Sequence, residues 1–228
     1  MSDDPAAGES IGEATYRRLR TDIVFGHLAP GEKLRLERLR IRYDVSVATL
    51  REVLPRLVAE ELILFATQKG FEVAPVSARD LREIAEMRIL LEAHALEAAF
   101  ARGDLEWEAG VVAAHHKLSR MEARMLAGDT GVTEAWKRHD REFHVALIAA
   151  CGSAELLALH ERIFDRFLRY QMLLVMFRGQ AAAAEHDALM DCALRRDVAG
   201  GQALLSRHIG ACIDYTVQHG LLTEGSAA

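Results

Sequence analysis

The chain has 228 residues, 50% hydrophobic and 27% charged, with a formal net charge of −6. This ordinary globular usage excludes wholesale disorder and fibrous repeats, and the length suits a small domain plus a medium one. With 16 glycines, 4 prolines and 6% aromatics, the balance favours helix over a large β-sandwich or barrel. No uncharged apolar run approaches the roughly 18 residues of a membrane-spanning helix. The acidic start MSDDPAAGES is unlike a secretory signal, so a cytoplasmic protein with no membrane partner is expected. Cys151, Cys192 and Cys212 form no CxxC pair and are expected to be reduced and buried.

In chain order, Gly12–Gly26 places Tyr16, Leu19, Ile23 and Val24 at helical spacing, with Gly26 as a stop. Leu28-Ala29-Pro30-Gly31 reads as a Pro-Gly turn. Leu36–Tyr43 is a short second helix, Asp44-Val45-Ser46 a tight break, and Ser46 an N-cap for a third helix from Val47 to Glu60. Pro55 falls inside that helix and is expected to bend it. Leu62–Thr67 and Phe71–Pro75, split by Gln68-Lys69-Gly70, form a predicted β-hairpin. Three helices and a hairpin make a winged helix-turn-helix over residues 1–76.

Pro75-Val76-Ser77 is the joint to a second domain, 77–228, and Ser77 can cap the next helix. The predicted helices there are 79–102, 105–127, 130–151, 154–176, 181–198 and 201–219. They are separated at Gly103-Asp104, Gly128-Asp129, Gly152-Ser153, Gly179 and Gly200-Gly201, each a glycine suited to a C-cap. The expected fold is therefore mainly α: the winged helix-turn-helix followed by an all-α antiparallel bundle.

Charge is unevenly spread. Between Lys33 and Arg56 stand seven basic residues (Lys33, Arg35, Arg38, Arg40, Arg42, Arg51, Arg56) and three acidic ones (Glu37, Asp44, Glu52) in an otherwise acidic chain. A helix presented to the major groove, with cations reaching phosphates, is what duplex reading requires. Leu36, Leu39 and Tyr43 pack the first helix of this motif, and Val45, Leu50, Val53, Leu54 and Leu57 the second. The contact candidates are Arg35, Arg38, Ser46, Val47, Thr49 and Arg51, with Lys69 and Gly70 at the hairpin tip placed for the minor groove.

In the bundle, Asp140 and His144 of HDREFH are four residues apart on one helix face. With His186 and His208 from two further helices they offer three nitrogens and one oxygen to a borderline divalent cation. The chain has 10 histidines, and spacing alone leaves a surface or structural role open for each; His94, His115, His116, His139, His160 and His219 are read that way.

The run Gly26-His27-Leu28-Ala29-Pro30-Gly31-Glu32-Lys33-Leu34, then Asp44-Val45-Ser46, Leu50-Arg51-Glu52-Val53-Leu54 and Gly70-Phe71, resembles the GntR superfamily of bacterial transcriptional regulators. The resemblance implies a homodimer that binds double-stranded operator DNA, usually as a repressor released by a small metabolite. Members often carry Ser-Arg-Thr where this chain has Ser46-Val47-Ala48. An Arg–guanine pair is worth roughly 1–3 kcal/mol of base discrimination, so the operator is not transferable from relatives; Arg51 matches the family's arginine.

Asp140-x-x-Phe143-His144, Glu185-His186, and Asp197 with Ala203 and His208 resemble the effector-binding domain of the FadR subfamily, the FCD domain. That resemblance implies metal ligation by Asp140, His144, His186 and His208, with zinc first and nickel next, and a small organic-acid or sugar-acid effector nearby. Arg88 resembles the family's arginine on the first bundle helix; it either clamps a carboxylate or forms a surface ion pair with Glu92. Cys212, one turn after His208, reads chiefly as core, while Trp107, Trp136 and Met172–Met176 pack or line the effector pocket. The resemblance also implies dimer contact through the first and fourth bundle helices. The rival readings are a metal-dependent enzyme acting on a small carboxylate and a regulator whose metal is purely structural. No second general acid or base with recognisable spacing accompanies the cluster, so no enzyme activity is expected.

Overall fold

The computed structural model describes residues 9–174, 177–218 and 222. Val175, Met176 and His219, which the sequence reading places at helix ends, lie outside the described residues. The chain divides into two compact units, Met1–Val76 and Ser77–Ala228.

The first unit opens with α1 (Ile11–Val24), whose first turn is tied down by the Ser10 hydroxyl accepting from the Glu13 amide at 3.1 Å. A two-residue strand β1 (Lys33–Leu34) leads into α2 (Leu36–Tyr43) and α3 (Val47–Ala59). Asp44 breaks the chain between them by taking a left-handed conformation, φ 52°, which short polar side chains tolerate. Leu50, Leu54 and Leu57 fall on one face of α3 and are buried with Leu19 and Ile23 of α1. Pro55 stands on the exposed face, and the helix runs through it to Ala59.

The wing is β2 (Ile63–Ala66) and β3 (Gly70–Val73), antiparallel, with β1 on the other edge of β3. The sequence reading contains the hairpin but not β1, because two residues are too few to show alternation. Register does the work: Leu34 and Phe65 both oppose Phe71.

The second unit is built of α4 (Ala78–Arg102), α5 (Leu105–Leu126), α6 (Thr133–Ile148), α7 (Ala154–Leu173), α8 (Gln180–Arg195) and α9 (Val198–Gln218). Side-chain caps from Ser77, Asp104 and Ser153 start α4, α5 and α7. The predicted helix 130–151 is α6 flanked by single 3-10 turns at Thr130–Val132 and Ala149–Cys151.

Gly128 and Gly152 have the positive φ expected after a helix. Gly103 is the C-cap of α4 as expected, with an ordinary negative φ of −59°, whereas Gly179, expected to end a helix, stands at the N-cap of α8. The break expected at Gly200-Gly201 is corrected. Gly200 and Gly201 lie inside α9; the break falls at Arg196, which is left-handed, and at Asp197, whose Oδ1 accepts from the Gly200 amide at 2.9 Å. A carboxylate is the better N-cap, and Gly201 serves a close approach instead. A Cβ there would stand 3.3 Å from both Leu96 and Phe100 of α4.

Gly103 has no such latitude: a Cβ would enter the Trp107 indole and stand 2.9 Å from the Ala99 carbonyl. Gly103→Ala should therefore lower stability by about 1–3 kcal/mol. Gly110→Ala, at a helical position with open space, should raise it by about 0.4–1 kcal/mol. Urea unfolding of both variants checks this, and a Gly103→Ala midpoint equal to wild type would contradict the packing described.

Candidate metal centre and nucleic-acid interface

A bundle interior is expected to be apolar, yet Glu92, Glu122, Lys137, Asp140 and His144 are all buried here, as are His160, His186 and His208. Buried charges persist when they are paired and hydrogen-bonded. Here the pairing converges on one point.

Asp140 and His144 come from successive turns of α6, His186 from α8 and His208 from α9, so three helices aim side chains into one space. One donor atom from each lies within 4.8 Å of the others. Ligands held about 2.0–2.2 Å from a tetrahedral ion stand about 3.3–3.6 Å apart, so a small contraction brings the set to ligating distance.

The orientation of the imidazoles is more telling than their proximity. His144 Nδ1 lies 2.9 Å from Glu92 Oε2, His186 Nδ1 2.7 Å from Glu122 Oε1, and His208 Nδ1 2.7 Å from Glu185 Oε2. A carboxylate on Nδ1 fixes the proton there and leaves the Nε2 lone pair free. The Nε2 atoms of His144 and His186 are buried with no hydrogen-bond partner. His186 Nε2 stands 3.3 Å from Asp140 Oδ1 but outside hydrogen-bond geometry, and His144 Nε2 is 4.0 Å from the same oxygen. Orphaned inward nitrogens opposite a carboxylate are what a divalent cation would satisfy, so the residues fit a metal.

Electrostatics agree. Burial opposes ionisation of Asp140, but Lys137 and the imidazoles of His186 and His144 hold its carboxyl well below the usual range. Burial likewise opposes Glu92, which Arg88 and His144 keep well below it. For Glu185, hydrogen bonds from His208 and Arg178 overcome burial and bring it to about 2. Among the imidazoles, burial lowers His208 to about 3, whereas at His186 the Glu122 hydrogen bond and the nearby Asp140 carboxylate outweigh burial and raise it to about 9, so an ion would displace a proton from that ring.

Arg88 forms the expected ion pair with Glu92, Nε to Oε1 at 2.5 Å, but the pair is buried rather than on the surface. The guanidinium lies over Phe164 and Phe167, 4.1 and 4.8 Å from the ring centroids, which is why it is desolvated. Its Nη2 has no partner. Cys212 is buried, with Sγ 3.6 Å from Gln171 Nε2. Trp107 donates to the Ala146 carbonyl and Trp136 packs edge-on to Phe177.

Sequence reasoning missed Glu122, Glu185 as a support, Lys137 and the part played by His160. His160 Nε2 lies 2.9 Å from Glu92 Oε1 and steadies the carboxylate that orients His144. The i, i+3 spacing of Lys137 and Asp140 was a visible signal; the pairings of Glu92 and Glu122 bridge 52 and 64 residues and left none.

In the N-terminal unit the basic residues sort themselves. Arg40 pairs with Glu37, Arg42 with Asp22 and Arg56 with Glu13. Arg35, Arg38, Arg51 and Lys69 are exposed and have no ion-pair partner among the described residues. Ser46 caps α3 through the Thr49 amide at 3.0 Å, and its Oγ is 2.9 Å from Thr49 Oγ1, so both hydroxyls fix the start of the helix. Val47, Thr49 and Gly70 are half-buried.

Residues 83–211 match the FCD domain family, and residues 11–73 match the gntR family of bacterial regulatory proteins. BphR of Paraburkholderia xenovorans (strain LB400), an uncharacterized HTH-type transcriptional regulator, is 42% identical over 93% of this chain and 88% of its own. The HTH-type transcriptional repressor GlaR of Escherichia coli (strain K12) is 38% identical over 85% of this chain and 90% of its own. E. coli McbR/YncC shares the fold, with a TM-score of 0.80 at 22% identity over 93% of this chain and 99% of that one. No helix among the described residues is long and apolar enough to cross a membrane. With a winged helix-turn-helix, an FCD bundle and relatives of similar extent, the chain belongs to the gntR family of DNA-binding transcriptional regulators, in its FCD-containing branch.

Proposed function

We propose that this regulator is a cytoplasmic, metabolite-responsive repressor in which residues 1–76 grip operator DNA and residues 77–228 bind a divalent ion and a small organic or sugar acid. The observation that carries the reading is the set of three imidazoles, each held at Nδ1 by a carboxylate, with Nε2 of His144 and His186 turned toward Asp140 and a ligand atom of His208 in the same cluster. Asp140, His144, His186 and His208 would hold the ion, and three nitrogens with one oxygen favour zinc, with nickel next. The ion would supply a Lewis acid for an oxygen donor of the effector. The unpartnered Nη2 of Arg88 supports an anion on that side of the site, because a buried guanidinium nitrogen without an acceptor is costly.

Repression is favoured by the similarity to GlaR, an HTH-type transcriptional repressor. Effector binding would shift operator affinity by its preference between two arrangements of the protein, typically about 1–3 kcal/mol. A homodimer through α4 and α7 is supported by the exposed apolar residues Met87 and Leu90 on α4 and Leu159 on α7, with Leu90 62% exposed. On the DNA side, Arg35, Arg38, Arg51 and Lys69 are the contacts, because their charges are not already neutralised within the protein. Ser46, Val47 and Thr49 present the start of α3 to the groove, and Gly70 lets the wing tip approach.

Arg51→Ala should abolish binding to duplexes selected from a random pool with the wild-type protein, while dimer and metal content stay unchanged. A gel-shift affinity equal to wild type would reject the DNA assignment. His186→Ala and His208→Ala should each lower metal per chain in elemental analysis, and full occupancy in both would reject the site. Chelation should lower the thermal midpoint, because an ion bound only to the native state at a hundred times its Kd stabilises it by about 2.7 kcal/mol. A midpoint indifferent to chelator would show that the fold does not depend on metal.

A further inference from the structure

A ligand reaching the metal centre has to pass the protein first, since none of the four ligand residues is more than 4% exposed. Beside the centre lies an open groove of about 560 Å³. Phe177, Arg178 and Ala181 line one side of it, and Asp214 and Tyr215 of α9 the other.

Arg178 belongs to both places. Its Nη2 donates to Glu185 Oε2 at 2.6 Å and to the His208 carbonyl at 3.3 Å, its Nη1 makes a long contact, 3.4 Å, with Glu185 Oε1, and Cys212 also stands against the guanidinium. Glu185 Oε2 also accepts from His208 Nδ1 at 2.7 Å. Arg178 Nη2 lies 3.1 Å from that same Nδ1. With the imidazole proton on Nδ1, both nitrogens are donors, so this is proximity rather than a bond. One carboxylate oxygen therefore serves two donors, one from the groove wall and one from a metal ligand.

We propose that this groove is the docking port for the effector's carboxylate and that Arg178 is the positioning residue that reports its arrival to the metal. The inference rests on the reading of the effector as a small organic acid. The anion takes the planar edge of the guanidinium. Arg178 then relaxes its hold on Glu185, whose Oε2 is left to His208 Nδ1 alone. A better-accepting carboxylate makes the imidazole a stronger donor to the ion. Acid in the groove therefore tightens metal, and by reciprocity metal tightens acid by the same factor. Asp214, exposed at the mouth, opposes the anion.

The test uses full-length wild type, Arg178→Gln and Asp214→Asn, each loaded with excess zinc and checked for zinc per chain. Calorimetry with acetate, lactate, succinate and citrate finds the acid that wild type binds best, and a chelator competition then measures zinc affinity with and without it. Arg178→Gln should bind that acid at least tenfold more weakly and lose the acid's effect on zinc affinity; Arg178→Lys should recover only part of both. Asp214→Asn should bind it two- to threefold more tightly. Wild-type affinity and coupling in zinc-loaded Arg178→Gln would overturn the proposal while leaving the effector reading intact. If wild type binds none of the acids, both fall. Should Arg178→Gln fail to fold, Asp214→Asn decides, and unchanged or weaker binding there overturns the port.

Discussion

An imidazole offers a lone pair to a cation only when its other nitrogen carries the proton and is held in place. In this bundle that condition is met three times, by Glu92 for His144, Glu122 for His186 and Glu185 for His208. The three carboxylates stand on α4, α5 and α8, and the imidazoles on α6, α8 and α9. α7 adds His160 behind Glu92. Every helix of the bundle thus contributes a side chain to the cluster or to its support.

Such an arrangement is expensive in a low-dielectric interior unless its charges balance. With neutral imidazoles, the acids Asp140, Glu92, Glu122 and Glu185 face Arg88, Lys137 and Arg178. In that state, which ligation requires, one negative charge is left over and a divalent ion would more than offset it; without an ion the proton held by His186 supplies the balance, so metal binding would be linked to proton release. α4 carries Arg88 and Glu92 into the centre and starts at Ala78, two residues after the last residue of the DNA-binding unit. A change in how the centre is filled therefore acts on the helix that is the covalent continuation of that unit.

The cluster was legible because three of its four residues fall in short local patterns: Asp140 and His144 four apart, and His186 beside Glu185. The helix-turn-helix was legible because capping and turn chemistry are local too, with Ser46 before α3 and the hairpin around Lys69-Gly70. What escaped was set by tertiary packing. Glu92 and Glu122 carry no sequence mark of the histidines they hold, and a surface pair with Glu92 stood as one of two readings of Arg88 because Phe164 and Phe167, which bury it, are far along the chain. Gly200-Gly201 looked like a break, whereas Gly201 lets α9 approach α4 and Asp197 does the capping. β1 was invisible because β3 alone gives it its conformation.

Three carboxylate-held imidazoles and one aspartate facing a single ion would leave a distinct signature in X-ray absorption at the zinc edge of the zinc-loaded protein. The first shell should hold nitrogen and oxygen only, at about 2.0–2.1 Å, with outer-shell scattering from three imidazole rings. Sulfur at about 2.3 Å, which would bring in a cysteine such as Cys212, or an oxygen shell without imidazole scattering, would contradict it.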